Sequence, residues 1–289
     1  QLYVYPIKSC KGIKVNSWPI NKYGLQYDRE FMIYNCTQNK YGSQIRTPKL
    51  ALIEPKLHLN AKTHEIESIT LKAPKMKSIT VFMNDHNNGN ILNNIRLFGS
   101  KVSGIDQGKP VENWLTAFMD DGREYILVRK PPNHNRNVDK KYVPNNIAKD
   151  NKVASYCNGF PYLIMSQESM ADLNKRLIKN GKNELNINRF RPNIVITTKG
   201  KKPWIEDTLF SIRNDNLIFY LTKPCDRCPT TTVNQETGIM DRKFDREPIN
   251  TLRQFRTGKI LGFGVKYWEH KVFVGMNAMA KQVTGVVKV

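Results

Sequence analysis

Short apolar runs, each cut off by Pro, Asn or Gly, set the strongest limit on what this chain can become. Between Leu50 and Phe98 they recur as Ala51–Ile53, Leu57–Leu59, Ile69–Leu71, Ile79–Phe82 and Ile95–Phe98. Runs this brief, rich in β-branched and aromatic residues, predict strands, and their spacing predicts a small barrel or sandwich. The Asn-rich piece Asn84–Asn94 reads as a loop or hairpin tip. Further strand-like runs stand at Leu2–Ile7, Val15–Ile20, Phe31–Tyr34, Tyr125–Val128 and Phe160–Met165. Others follow at Phe190–Ile196, Leu209–Ile212, Leu217–Leu221, Ile260–Val265 and Val283–Val289.

Helical signals are few. Val111–Met119 places Val111, Trp114, Leu115 and Phe118 on one helical face. Ser166 is a good N-cap for a helix with Met170, Leu173 and Leu177 on one side, ending near Gly181. Pro248 suits the first turn of a short helix carrying Ile249, Leu252 and Phe255. The stretch from Pro131 to Lys152 is rich in Asn, Lys, Arg and Pro and has no period. It reads as a linker, which divides the chain into 1–130 and 131–289. The expected class is α+β and mostly β: two β modules with a few helices.

Composition adds a sign. The chain has 46 Lys and Arg against 25 Asp and Glu, a net charge of +21. Such a field favours anionic partners and is silent on fold. Five cysteines without framework spacing point to a reducing compartment rather than a disulfide scaffold. The chain starts at Gln1 and enters a strand pattern at once, so any targeting segment is expected upstream. No apolar run approaches bilayer length. Hydrolase triads, phosphate-binding glycine loops and dinucleotide fingerprints are absent, as are nucleic-acid-binding modules.

Chemistry concentrates in KPCDRCPTTTVNQETGIMD, from Lys223 to Asp241. The strand Leu217–Leu221 would deliver Cys225 and Cys228 to a loop at a sheet edge. A thiol beside Arg227 on such a loop suits metal ligation or redox work. Structural zinc would need a second Cys or His pair, and His58, His64, His86, His134 and His270 are isolated. A thioredoxin-like pair would open a helix, and Pro229-Thr230-Thr231-Thr232 does not. Two readings remain: a structural cysteine pair, or one metal-bound thiolate with a supporting neighbour. Earlier in the chain, Lys8-Ser9-Cys10-Lys11-Gly12 is a compact basic turn that could present N–H groups, a hydroxyl and ammonium groups to a phosphate.

Four motifs together carry a resemblance. They are YPIKSCKG from Tyr5 to Gly12, DREF from Asp28 to Phe31, NRFRPNIVI from Asn188 to Ile196, and CDRCPTTTV from Cys225 to Val233 followed by Thr237-Gly238. In this order they resemble the amidoxime-reducing members of the MOSC family, named for the C-terminal domain of molybdenum cofactor sulfurase. The resemblance implies an N-terminal β-barrel domain followed by a MOSC domain. It implies a molybdenum cofactor, Mo-molybdopterin, with Cys228 as the catalytic metal ligand and Cys225 in support. It places Lys8, Ser9, Arg29, Arg191, Asn193 and Arg227 around the cofactor, with the Phe263-Gly264 region nearby, where Arg forks and a Lys charge would meet the pterin's phosphate. Asn158 and Gly159 stand where the family has an Asp and hydroxyl groups near the metal.

The implied reaction is reduction of N-hydroxylated compounds (amidoximes and hydroxylamines) to amidines and amines. Electrons would come from NADH through NADH-cytochrome b5 reductase and cytochrome b5. The implied location is the cytosolic face of the mitochondrial outer membrane, with the anchor upstream of Gln1. Two other readings stand beside this one: a MOSC protein that handles sulfur through its cysteine pair, or a basic polyanion-binding protein without chemistry.

Overall fold

The computed structural model describes residues 1–83, 89–147, 152–200, 202–240 and 246–289. Part of the expected Asn84–Asn94 loop, His86 and Asp241 lie outside them. Among the described residues the short-run pattern becomes four sheets, and the three expected helices form as Lys109–Met119, Gln167–Lys179 and Ile249–Arg253. The largest sheet has seven strands, in the order Ser211–Asn214, Leu217–Arg227, Val272–Ala280, Tyr162–Ser166, Ile194–Ile196, Leu2–Val4 and Ile13–Val15. All its neighbours are antiparallel except Tyr162–Ser166 with Ile194–Ile196. That parallel pair needs a crossover, and the helix Gln167–Lys179 supplies it. Ser166 caps this helix as expected, its hydroxyl accepting from the Ser169 N–H. Met170, Leu173 and Leu177 are its buried face.

A five-stranded antiparallel sheet runs Ile91–Leu97, Ser100–Asp106, Tyr125–Arg129, Phe31–Asn35, Lys40–Tyr41. Glu54–Leu59, Ile66–Lys72 and Ile79–Phe82 form a three-stranded meander beside it. Together with the helix Lys109–Met119 they enclose one core, which includes Phe31, Ile33, Leu50, Ile69, Trp114, Leu115 and Leu127. A separate core, with Leu2, Val4, Ile164, Phe219 and Ala278 among its members, lies under the seven-stranded sheet. The chain is therefore mostly β with few helices, a barrel-like first half and a curled sheet in the second.

The two halves are stitched together. Leu2–Val4 and Ile13–Val15 begin the chain yet pair within the second half's sheet. Ser17–Asn21 pairs with the last strand, Gly285–Lys288. The stretch expected as a linker has little regular structure, but His134, Arg136, Val138 and Ile147 are buried in it. Arg136 donates to the carbonyls of Ser155 and Cys157, which ties this stretch to the segment that follows.

Three local expectations differ. Ala51–Ile53 does not form a strand: Pro48–Leu52 is a 3-10 helix, because Pro48 suits a first helical turn. Ile260–Val265 is a turn-rich loop, where Gly262 and Gly264 adopt φ of 68° and 65°. Left-handed backbone at two positions so close together interrupts regular strand pairing. Within Phe190–Ile196 only Ile194–Ile196 is a strand; Ile187–Phe190 is a 3-10 turn and Arg191 caps it with φ 57°. Several strands were not anticipated, among them Lys40–Tyr41, Ser100–Asp106 and the longest of them, Val272–Ala280. Val272–Ala280 is central, and all nine of its residues are buried. Gly275 lies within it because a Cβ there would sit 2.7 Å from the Ile164 carbonyl oxygen.

Candidate functional site

The turn Tyr5–Gly12 is pinned by backbone before any side chain acts. Phe31 N–H donates to Pro6 O at 3.0 Å, Lys8 N–H to Phe31 O at 2.8 Å, and Arg29 N–H to Tyr5 O at 2.6 Å. Asp28 is buried, and its carboxylate accepts from Tyr5 N–H at 2.8 Å and Asn193 Nδ2 at 3.0 Å. It also pairs with Arg29. Arg29 reaches across to Asn193 Oδ1 at 3.0 Å and to the Arg191 carbonyl at 3.2 Å. Three of the four motifs thus converge on one polar knot.

Arg29 and Arg191 both lie over the Tyr5 ring, 4.3 and 4.4 Å from its centroid. A cation over an aromatic face is attracted by the ring's quadrupole. Gly12 leaves room for that ring, since a Cβ there would come within 2.5 Å of Tyr5 Cε1. Ser9, Arg29 and Arg191 all have left-handed φ, at 71°, 47° and 57°. Non-glycine residues pay strain for this conformation, and such strain gathers at functional sites.

The fourth motif closes the ring. The strand Leu217–Arg227 ends at Cys228, which opens the 3-10 turn Pro229–Thr232. Cys228 is exposed, and its thiol donates to Thr230 Oγ1 at 3.2 Å. Cys225 sits half-buried, and burial pushes its pKa up, which keeps it a thiol. A reciprocal amide pair, Gln44 with Gln235, links the loop after Cys228 to the first half, and Gln44 also donates to Ser9 O at 2.7 Å.

Of the residues singled out in the sequence, Lys8, Ser9, Arg29, Asn158, Gly159, Arg191, Asn193, Cys225, Arg227 and Cys228 line one cleft, while Phe263 and Gly264 are not on its lining. Their settings differ. Arg227 has its fork turned to the backbone, donating to Val274 O at 2.8 and 3.0 Å and to Phe190 O at 3.0 Å. It holds the cleft's wall together. Asn158 is exposed at the rim, and Gly159 has φ 85° with open space where a Cβ would be. Arg46, Arg189 and Lys223 also line the cleft and were not singled out. The sole signal for Arg189 was its place beside Arg191 in one motif.

The cleft is built for an anion. Asp226 is the one carboxylate among its described lining residues, and it is held by Lys271 at 2.9 Å and Lys223 at 3.8 Å. Lys8 is buried, with its ammonium 4.2 Å from the Phe98 ring centroid and no carboxylate partner among the described residues. Burial pushes its pKa down to about 7, and nearby arginines act in the same direction. Arg191 is likewise pushed down to about 10, by burial and by Arg29. Arg191 Nη1 donates to Cys10 O at 2.6 Å, while its buried Nη2 has no partner. Ser43 Oγ and Tyr162 OH, on the same lining, are also buried and unpartnered. Buried donors without acceptors are costly unless a ligand supplies them.

These groups fit a phosphate-bearing cofactor at one end and a metal near the thiol at the other. Among the described residues no three His, Cys, Asp or Glu side chains gather to hold a metal. A metal at Cys228 would therefore take most of its donors from the organic molecule that carries it.

The fold and cleft define a two-module β protein with an anion cradle facing an exposed thiol. The chain belongs to the MOSC family: residues 1–122 match the MOSC N-terminal beta barrel domain and residues 151–287 the MOSC domain. It is similar to mitochondrial amidoxime reducing component 2 of Bos taurus, 34% identical over 260 residues that cover 89% of this chain and 71% of that one. Mitochondrial amidoxime-reducing component 1 of Homo sapiens is 31% identical over 260 residues, with the same shares covered. Molybdenum cofactor sulfurase of Homo sapiens is 32% identical over 245 residues, 82% of this chain. This chain spans only 26% of that sulfurase.

Proposed function

We propose that this chain is a molybdenum-cofactor oxidoreductase that reduces N-hydroxylated compounds, amidoximes and hydroxylamines, to amidines and amines. The supporting observation is the cleft itself: an exposed Cys228 shares its walls with Lys8 and Arg29 of the first half and Arg191 of the second, whose buried Nη2 has no partner. The names of the relatives support the same reaction class. When bound, the molybdenum centre would supply two-electron reduction of the N–O bond, the oxygen leaving as water after uptake of two protons.

The chain's own residues do the rest. Lys8, Arg29 and Arg191 hold the anionic end of the cofactor, with charge-assisted hydrogen bonds from the Arg191 fork. Asn193 and Asp28 fix Arg29 in place. Cys228 supplies the protein's sulfur to the metal. Arg227 fixes the strand that delivers it. Electrons would arrive from NADH through NADH-cytochrome b5 reductase and cytochrome b5. The relatives' names suggest a mitochondrial setting, and the cytosolic face of the outer membrane is the location that goes with the proposed reaction; among the described residues no helix is long and apolar enough to cross a membrane.

Elemental analysis and turnover test this together. Wild-type protein should carry roughly stoichiometric molybdenum and consume N-hydroxybenzamidine when electrons are supplied. Cys228→Ala should carry little metal and lose turnover, since a direct bond to the metal is gone. Full metal and full activity in that variant would overturn the assignment of Cys228. The likeness to the sulfurase favours a second reading, sulfur handling at the same cysteine pair. Metal-loaded protein that leaves N-hydroxybenzamidine untouched but exchanges sulfur would select it.

A further inference from the structure

Behind the Cys228 turn lies a second cleft of about 530 Å³, the size of a small-molecule site. Ile45, Pro229 and Met240 give it an apolar wall; Lys40, Arg46, Arg123 and Arg246 surround that wall with positive charge. No carboxylate lines it among the described residues. Two of the four cations are already engaged. Arg123 pairs with Asp121 at 3.3 Å, and Arg46 lies over the Tyr41 ring, 4.6 Å from its centroid. The side chains of Lys40 and Arg246 have no hydrogen-bond or ion-pair partner among the described residues.

We propose that this second cleft binds an amphiphilic organic anion, an aromatic or branched-chain carboxylate, whose charge is met by Lys40 and Arg246. Like charges gathered at one concavity repel each other, and an anion relieves that repulsion. The apolar wall selects an anion with a hydrophobic body over a small inorganic one. Its position gives it a bearing on the first site. Pro229 and Thr232 begin and end the turn that Cys228 opens, and Ile45 and Arg46 line both clefts. An occupant therefore rests against the far side of the wall that carries the thiol.

The test uses 2-naphthoate and its neutral isostere 2-naphthamide, titrated calorimetrically into the full chain and into the Lys40→Gln/Arg246→Gln double variant. Both residues are solvent-exposed, so the variant should fold as the wild type does. Wild-type protein should bind the carboxylate about tenfold more tightly than the amide, the size of one charge-assisted hydrogen bond. The double variant should erase that preference and leave amide binding unchanged. Absence of saturable naphthoate binding to the wild type, or an unchanged preference in the variant, would overturn the proposal. Binding is read directly, so this result is independent of whether N-hydroxybenzamidine is reduced.

Discussion

Lys8 is the residue whose charge state most directly governs the cradle. Its pKa of about 7 lies below the ordinary lysine value because burial disfavours the ammonium form. The group is therefore charged in the folded protein below about pH 7 and loses its proton above it, while Arg191 stays charged until about pH 10. An anion in the cleft interacts with the charged form and should bind most tightly at low pH. Sulfate suits the measurement because it does not itself titrate in this range. Its affinity for cofactor-free protein should fall as pH rises from 6 to 8.5, and Lys8→Met should bind more weakly with a flatter profile. A wild-type profile as flat as the variant's would show that Lys8 does not face the anion.

Among the elements, the strand pair Leu217–Arg227 and Val272–Ala280 does most to position the thiol. Their register shifts between Leu221 and Lys223 and again between Pro224 and Asp226, so the ladder is irregular where Cys225 sits. Arg227 compensates by clamping Val274 O and Phe190 O. Replacing it with Met keeps the apolar stem and leaves those carbonyls without its donors. Arg227→Met should lose about 2–3 kcal/mol of stability, the cost of stranding buried acceptors. Urea denaturation would measure it, and a loss under about 0.5 kcal/mol, the range of ordinary surface changes, would show that the clamp is redundant.

For the whole molecule the relevant quantity is the net charge of +21. A field of that size speeds encounters with acidic proteins and is screened within about 10 Å at 0.1 M salt. Under the proposed function the electron donor, cytochrome b5, is acidic. Its rate of electron delivery to this protein should fall steadily as ionic strength rises from about 50 to 500 mM. A rate that holds constant across that range would exclude electrostatic steering. Direct chemical reduction should be much less sensitive to salt, which separates encounter from chemistry.

Much of this protein is visible in residue order because local rules set it. The Ser166 cap and the apolar face of Lys109–Met119 depend on neighbours a few positions away. The four motifs were legible for a related reason: each is a compact run whose residue types announce their chemistry. Val272–Ala280 was hidden because a strand buried on both faces shows no alternation, and its Gly, Ala and Met residues do not favour a strand. Residue order by itself determined the class of fold, the sign of the charge and the identity of the thiol-bearing loop. Tertiary structure alone decided that Lys8 is buried beside Phe98, that Arg191 keeps a buried N–H unpartnered and that Arg227 faces the backbone. Those outcomes depend on burial and on contacts between residues more than 30 positions apart, and neither is written in any local window of sequence.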